Sequence, residues 1–150
     1  IEVVIHPQSI IHSMVEFKDG SIKAQLSSPN MRLPIQFALS FPERYTLKDL
    51  NFNVSEFSNL TFEKVDVEKF RCVKLAIEAI RLGGSYPTVL NVSNDLSVDF
   101  FLNDLITFNQ IPDLIEKSLD KHEYINNPDL SEIKRITHSV KNNLKEFIRK

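Results

Sequence analysis

The stretch IIHSMVEFKDGSIKAQL, residues 10–26, decides the first half of the fold. Ile11, Ser13, Val15 and Phe17 share one parity; His12, Met14 and Glu16 take the other. Alternation of this kind sends the two sets to opposite faces of a strand. Lys18-Asp19-Gly20-Ser21 follows, and Asp-Gly between alternating runs is the strongest short-range hairpin signal. Ile22, Ala24 and Leu26 then share one face of a return strand. The stretch predicts a β-hairpin over 10–26.

Outward from the hairpin, Ile1 to Ile5 is a short run rich in β-branched residues, ended by His6-Pro7, and predicts a strand. Ser27-Ser28-Pro29-Asn30 predicts a loop. Pro34 is suited to open a short helix at its first position, with Ile35, Ala38 and Leu39 on one side and Phe41-Pro42 ending it. Residues 42–66 carry no helical period. Leu47, Leu50, Phe52, Leu60 and Phe62 are scattered through them. That is too apolar for a free linker and predicts a packed connector, with short strands as an option.

After Asp66 the period becomes helical. Phe70, Val73, Ile77 and Ile80 step by 3, 4 and 3 and predict one helical face. Gly83-Gly84 stops that helix. Val89 to Leu105 predicts a second helix, with Leu90, Asn94, Val98 and Phe101 near one stripe. A third follows Asn109, with Ile111, Leu114, Ile115 and Leu119. Asn127-Pro128 is expected to open a fourth, with Asp129 and Glu132 as a capping-box variant. Ile133, Ile136, Val140, Leu144 and Phe147 mark its apolar side. The fold class expected is α+β: a hairpin and partial sheet, a connector, then a bundle of about four helices.

Composition narrows the function. The chain has 150 residues, a net charge of −2, one Cys and three Gly. This balance gives no support to a nucleic-acid or anionic-membrane partner. A single Cys excludes an internal disulfide framework and a cysteine-rich zinc site. No apolar run approaches a membrane span, and no signal-peptide pattern opens the chain. The scarce Gly leaves no GxGxxG or GxxxxGK[ST] phosphate cradle. The absence of an initial Met implies a processed chain or an excised piece.

The candidate chemical groups are sparse. His6, His12, His122 and His138 form no HExxH motif and no helical i, i+4 pair. His12, opposite the Ile11/Val15/Phe17 row, stands out, although a hydrogen-bonded sheet histidine is the plainer role. His122 and His138 are expected on solvated faces. Cys72 has one Arg and no His beside it, which favours a structural thiol over a nucleophile. Asp95, Asp99 and Asp104 are expected on a solvent-facing helix edge. Ser9, Ser13 and Ser97 lack a GxSxG context. Asn91 and Asn94 are placed to cap a helix start. Lys141, Lys145, Arg149 and Lys150 suit the C-terminal end of a helix dipole.

Several segments, taken in order, resemble the 1-deoxy-D-xylulose 5-phosphate reductoisomerase family. They are IHPQSIIHSM (5–14), FKDGS (17–21), AQL (24–26), PNMRLPI (29–35), LTFEKVD (60–66), KLAIEA (74–79) and LNVSND (90–95). Departures are Ser27 for a frequent Gly, Asn30 for Asp, and Val92, Ser93 and Asp95 for Ala, Ala and Glu. The resemblance implies residues 1–40 as the end of an α/β catalytic domain, 41–66 as a linker and 67–150 as a C-terminal helical domain. It implies an enzyme that isomerises 1-deoxy-D-xylulose 5-phosphate and reduces the intermediate to 2-C-methyl-D-erythritol 4-phosphate, in the non-mevalonate isoprenoid route. NADPH and Mg²⁺ or Mn²⁺ are the implied cofactors. Their sites are implied to lie upstream of Ile1, so none is expected on this piece, which is expected to be inactive alone. Of the family's site residues only three carry over. His12 is implied to support catalytic geometry, and Pro29 and Met31 to wall the nicotinamide and substrate. The implied partners are the rest of the enzyme chain and a second copy through the sheet region, in a bacterial cytoplasm. A non-catalytic dimerisation module is the alternative, and an unrelated helical binding domain a third.

Overall fold

In the computed structural model, residues 1–48, 50, 53, 55 and 59–148 are described. The chain divides into two units, Ile1–Val65 and Asp66–Lys150. The first holds β1 (Val4–Ile5), β2 (Ile11–Glu16), β3 (Ile22–Leu26), α1 (Arg32–Ser40) and β4 (Glu63–Lys64).

The hairpin forms where the alternation places it, β2 antiparallel to β3. Its tip is set by turn chemistry. The Gly20 N–H donates to Phe17 O at 2.9 Å, and the Phe17 N–H to Ser21 O at 2.8 Å. Gly20 takes φ +84°, the left-handed conformation that this three-residue loop requires. Asp19 Oδ1 accepts from the Ser21 N–H and hydroxyl at 2.9 and 2.6 Å. These bonds hold its carboxyl below the ordinary carboxylate range. The alternation fails at one place. Ile11 pairs with Leu26 but Ser13 with Gln25, so His12 has no cross-strand partner and sits in a β-bulge.

The connector contributes a strand of its own. β1 pairs antiparallel with β4, Val4 opposite Lys64 and Ile5 opposite Glu63. Helix α1 begins at Arg32, so Pro34 occupies its third position instead of its first. The correction is small physically: N–H groups throughout the first turn lack intrahelical acceptors, and Asn30 Oδ1 accepts the Arg32 N–H at 2.9 Å. Phe52 of the connector lies outside the described residues.

The second unit is four helices: α2 (Arg71–Leu82), α3 (Tyr86–Leu102), α4 (Gln110–Asp120) and α5 (Leu130–Ile148). The face of α2 differs from the expected one. Leu75 and Ala79 are buried, with Cys72 packed beside them, while Phe70, Ile77 and Ile80 are exposed. Both sets carry the helical period. The Leu75 side packs on Ile111 and Ile115, and on the same side Arg71 pairs with Asp113 and Glu116 of α4 at 2.7 and 2.6 Å.

Helix α3 packs on two sides. Val89, Val92 and Phe100 join Leu114, Ile136, Val140 and Leu144 in one cluster. Leu90, Val98 and Phe101 pack against a second cluster of Leu75, Ile111 and Ile115. Because α3 starts at Tyr86, with Pro87 in its first turn, Asn91 and Asn94 lie within the helix and cap nothing at its start. Asp95 and Asp99 are exposed, and Asp104 lies beyond the helix end at φ +57°.

Helix ends follow the punctuation of the sequence. Gly83 closes α2 at φ +67°, its N–H donating to Ala79 O at 3.0 Å. At Gly84 (φ +54°) a side chain would run into the carbonyl of Ile125 and the ring of Tyr124. The cap of α5 is Asp129, two residues after the expected Asn127. The Glu132 N–H donates to Asp129 Oδ1 at 2.8 Å, and the Asp129 N–H to Glu132 Oε2 at 2.9 Å. That is the reciprocal capping box. Lys145 occupies the last turn of α5; Arg149 and Lys150 lie outside the described residues.

Candidate functional site

The strand register places the three candidates carried by the resemblance toward one end of the hairpin ribbon, opposite the Asp19-Gly20 turn. His12 is the bulge residue near the start of β2, and it is exposed. Leu26, paired with Ile11, ends β3 and leads directly into the loop bearing Pro29 and Met31. The Ser27 N–H donates to Ile10 O at 3.1 Å and ties the root of that loop to the start of β2. Pro29 is exposed, and Met31 stands 70% exposed just before α1. A bulge redirects a side chain out of the pleat. Here it frees His12 from a cross-strand neighbour at the end where the Pro29–Met31 loop departs.

His12 also lines a cavity of about 580 Å³ with His6, Met14, Glu16, Ile22 and Phe62. His6 is an anchor that spacing alone does not single out. Its Nδ1 donates to Thr61 O at 2.8 Å, and its ring stacks on Phe62 with centroids 4.7 Å apart. Its Nε2 is buried and has no partner among the described residues. Gln8 adds bonds to Thr61, its Nε2 donating to the hydroxyl at 2.8 Å and its Oε1 accepting the backbone N–H at 3.3 Å. The IHPQS and LTFE segments, some 55 residues apart, are thus one joint. Only the juxtaposition of β1 and β4 reveals it.

The second unit holds a different constellation. Ser85 is fully buried, its Oγ 2.6 Å from His122 Nε2. The same Oγ accepts the Ile125 N–H at 2.9 Å. His122 is therefore half-buried and engaged, not on a solvated face as expected. Burial holds its pKa below the ordinary imidazole value. The spacing is that of a nucleophile and its base. Full burial keeps Ser85 from any substrate, so the pair is a latch between the start of α3 and the 122–125 segment. His138 is exposed. Cys72 is half-buried, and burial pushes its thiol pKa up, which leaves it a poor nucleophile. Among the described residues no three His, Cys, Asp or Glu side chains converge to hold a metal ion. No helix among them is long and apolar enough to cross a membrane.

A bulged histidine beside a Pro-Asn-Met loop, followed by a four-helix unit, defines a class. The family model of the DXP reductoisomerase C-terminal domain matches residues 26–143, and the chain belongs to that family. It is 48% identical over 99% of its length to the 1-deoxy-D-xylulose 5-phosphate reductoisomerase of Thermoanaerobacter pseudethanolicus, covering 40% of that protein. Against the enzyme of the same name from Listeria monocytogenes the identity is 46% over 99% of the chain, covering 39% of the relative. The chain therefore spans about 40% of the length of these relatives. Among solved structures, the reductoisomerase from Zymomonas mobilis in complex with NADPH superposes with a TM-score of 0.86 at 36% identity. It covers 99% of this chain and 39% of that one. A DOX-P reductoisomerase with NADPH, fosmidomycin and magnesium gives 0.87 at 32%, covering 97% and 38%.

Proposed function

We propose that the chain is the C-terminal portion of an NADPH-dependent enzyme that converts 1-deoxy-D-xylulose 5-phosphate to 2-C-methyl-D-erythritol 4-phosphate in isoprenoid synthesis. The observation that carries this is the 48% identity to a reductoisomerase across 99% of the chain. Residues 1–40 end the catalytic domain, 41–66 form the linker and 67–150 the helical domain. A resident NADPH would supply hydride, and a resident Mg²⁺ or Mn²⁺ would polarise substrate oxygens. The described residues do not by themselves fit either group. They offer no convergent metal-ligand set, and the three Gly stand in a hairpin tip and between two helices. The sites for both belong to the remainder of the enzyme chain.

What this chain contributes is shape and exclusion. His12, released from the pleat by the bulge, supports the catalytic geometry without transferring a proton. Pro29 and Met31 form a wall beside nicotinamide and substrate. A ring-locked Pro and a soft, unbranched Met suit a surface that keeps water from a hydride path. The enzyme acts as a homodimer in the bacterial cytoplasm.

The test is to express the chain joined behind the complementary N-terminal portion of the Thermoanaerobacter relative. NADPH oxidation with 1-deoxy-D-xylulose 5-phosphate and Mg²⁺ is expected from the joined protein and not from the 150 residues alone. Turnover by the chain alone, or none by the folded joined protein, would overturn the assignment. A second role, dimerisation through the sheet, is favoured by one observation: Val15 of β2 and Phe17 just beyond it, of the same parity, expose apolar surface. Sedimentation of the joined protein is expected to give a dimer that Val15→Glu dissociates.

A further inference from the structure

The second unit carries a cavity of about 330 Å³ between the C-terminal half of α4, the 121–125 segment and α5. The volume lies at the lower end of small-ligand sites, roughly 300–1,000 Å³. Its floor is apolar and buried, formed by Leu114, Ile136 and Val140. Its rim carries Lys117, Lys121 and Arg135 against one carboxylate, Glu123. On a chain of net charge −2 this rim reverses the local sign. Lys117 already lies over the Phe147 ring, 4.4 Å from its centroid. Lys121 and Arg135 take part in no ion pair among the described residues.

His122 belongs to the same lining. Ser85 Oγ accepts the Ile125 N–H and lies 2.6 Å from His122 Nε2, which anchors the ring. His122 Nδ1 bonds to no protein group among the described residues. An apolar floor, two uncommitted cations and an anchored imidazole together ask for a ligand with two ends. We propose that this cavity binds a small organic anion with an apolar body: a phosphate monoester or carboxylate on a short hydrocarbon chain.

The test is a ¹H–¹⁵N titration of the 150-residue chain with hexyl phosphate, hexanoate, inorganic phosphate and hexanol. At least one of the two amphipathic anions is expected to shift the amides of 121–125 and 135–144 saturably. The stronger of them identifies the head group. Inorganic phosphate and hexanol are expected to bind at least about tenfold more weakly. Lys121→Ala with Arg135→Ala is expected to weaken binding about tenfold at an unchanged thermal midpoint. Ser139→Phe, at an exposed rim position, is expected to fill the cavity and abolish it. The proposal is overturned if neither anion shifts these amides saturably, or if inorganic phosphate or hexanol binds as well as they do. It is equally overturned if the double variant keeps the original affinity.

Discussion

The two units of this chain are held together in different ways. In Ile1–Val65, Ile10 is the single buried residue among those described; in Asp66–Lys150, Val89, Leu114 and Ile115 are almost wholly enclosed. The first unit owes its form to turns and hydrogen bonds: a Gly-tipped hairpin, an Asn-capped loop and the long-range histidine joint to Thr61. The second owes its form to two apolar clusters around α3. A region shaped by turns and hydrogen bonds presents residues outward. The region shaped by packing turns Leu75, Val89, Leu114 and Ile136 inward, although Phe70, Ile77, Ile80 and Leu102 stay exposed. The candidate site residues lie in the first.

That contrast is breakable by substitution. The largest effect is expected at the core of the second unit. Leu114→Ala should cost about 2–5 kcal/mol in denaturant unfolding, whereas Ile22→Ala on the exposed hairpin should stay within ~0.5 kcal/mol. Equal losses would abolish the distinction. The glycines come next. Gly84→Ala combines positive φ with a collision against the Ile125 backbone, so its cost should exceed the ~1–2 kcal/mol of left-handed strain alone. Gly20→Ala meets nothing within 4 Å and should cost no more than that strain.

The latch follows. Ser85→Ala strands the Ile125 N–H and His122 Nε2 and should cost about 1–3 kcal/mol. Its pH dependence has a definite sign. The His122 pKa is lowered in the fold, so the unfolded chain takes up the proton first. The contribution is full above the unfolded value of about 6.5 and is lost as pH falls below it toward the depressed folded value. His122→Gln should remove that dependence from an unfolding series between pH 7.5 and about 5. The smallest effect belongs to the exposed cap. Asp129 is held below its ordinary value first by the Ser131 hydroxyl, then by the Glu132 N–H. Its contribution is present above about pH 3.9 and is lost as pH falls through the lower folded value. Asp129→Ala should flatten that acid limb and loosen only the first turn of α5, as amide exchange would report.

The sequence made these regions legible unequally. The hairpin stands where alternation puts it, and the four C-terminal helices follow, but α3 spans Tyr86–Leu102 instead of 89–105 and α5 is capped at Asp129 instead of Asn127. The face of α2 was not legible, because Phe70/Val73/Ile77/Ile80 and Cys72/Leu75/Ala79 both carry a helical period. The buried face is the one that meets Ile111 and Ile115 of α4, residues distant in sequence, and Arg71 pairs on that side with partners 42 and 45 residues away. The His12 bulge was hidden because alternation counts parity within one strand, and a bulge is a mismatch between two. His122 looked solvated because its partner, Ser85, is 37 residues distant. Pro29 and Met31 stood out only through family resemblance; nothing in their spacing marks them.

We propose that the hairpin end of the first unit supports catalysis, while the second unit holds the apolar core. The most direct measurement is the steady-state kinetics of His12→Ala in the joined enzyme, alongside its unfolding midpoint. The account predicts kcat falling roughly tenfold to a hundredfold, with KM and midpoint little changed and the pH profile unshifted, because His12 positions and does not transfer a proton. An unaltered kcat in a folded enzyme would contradict it.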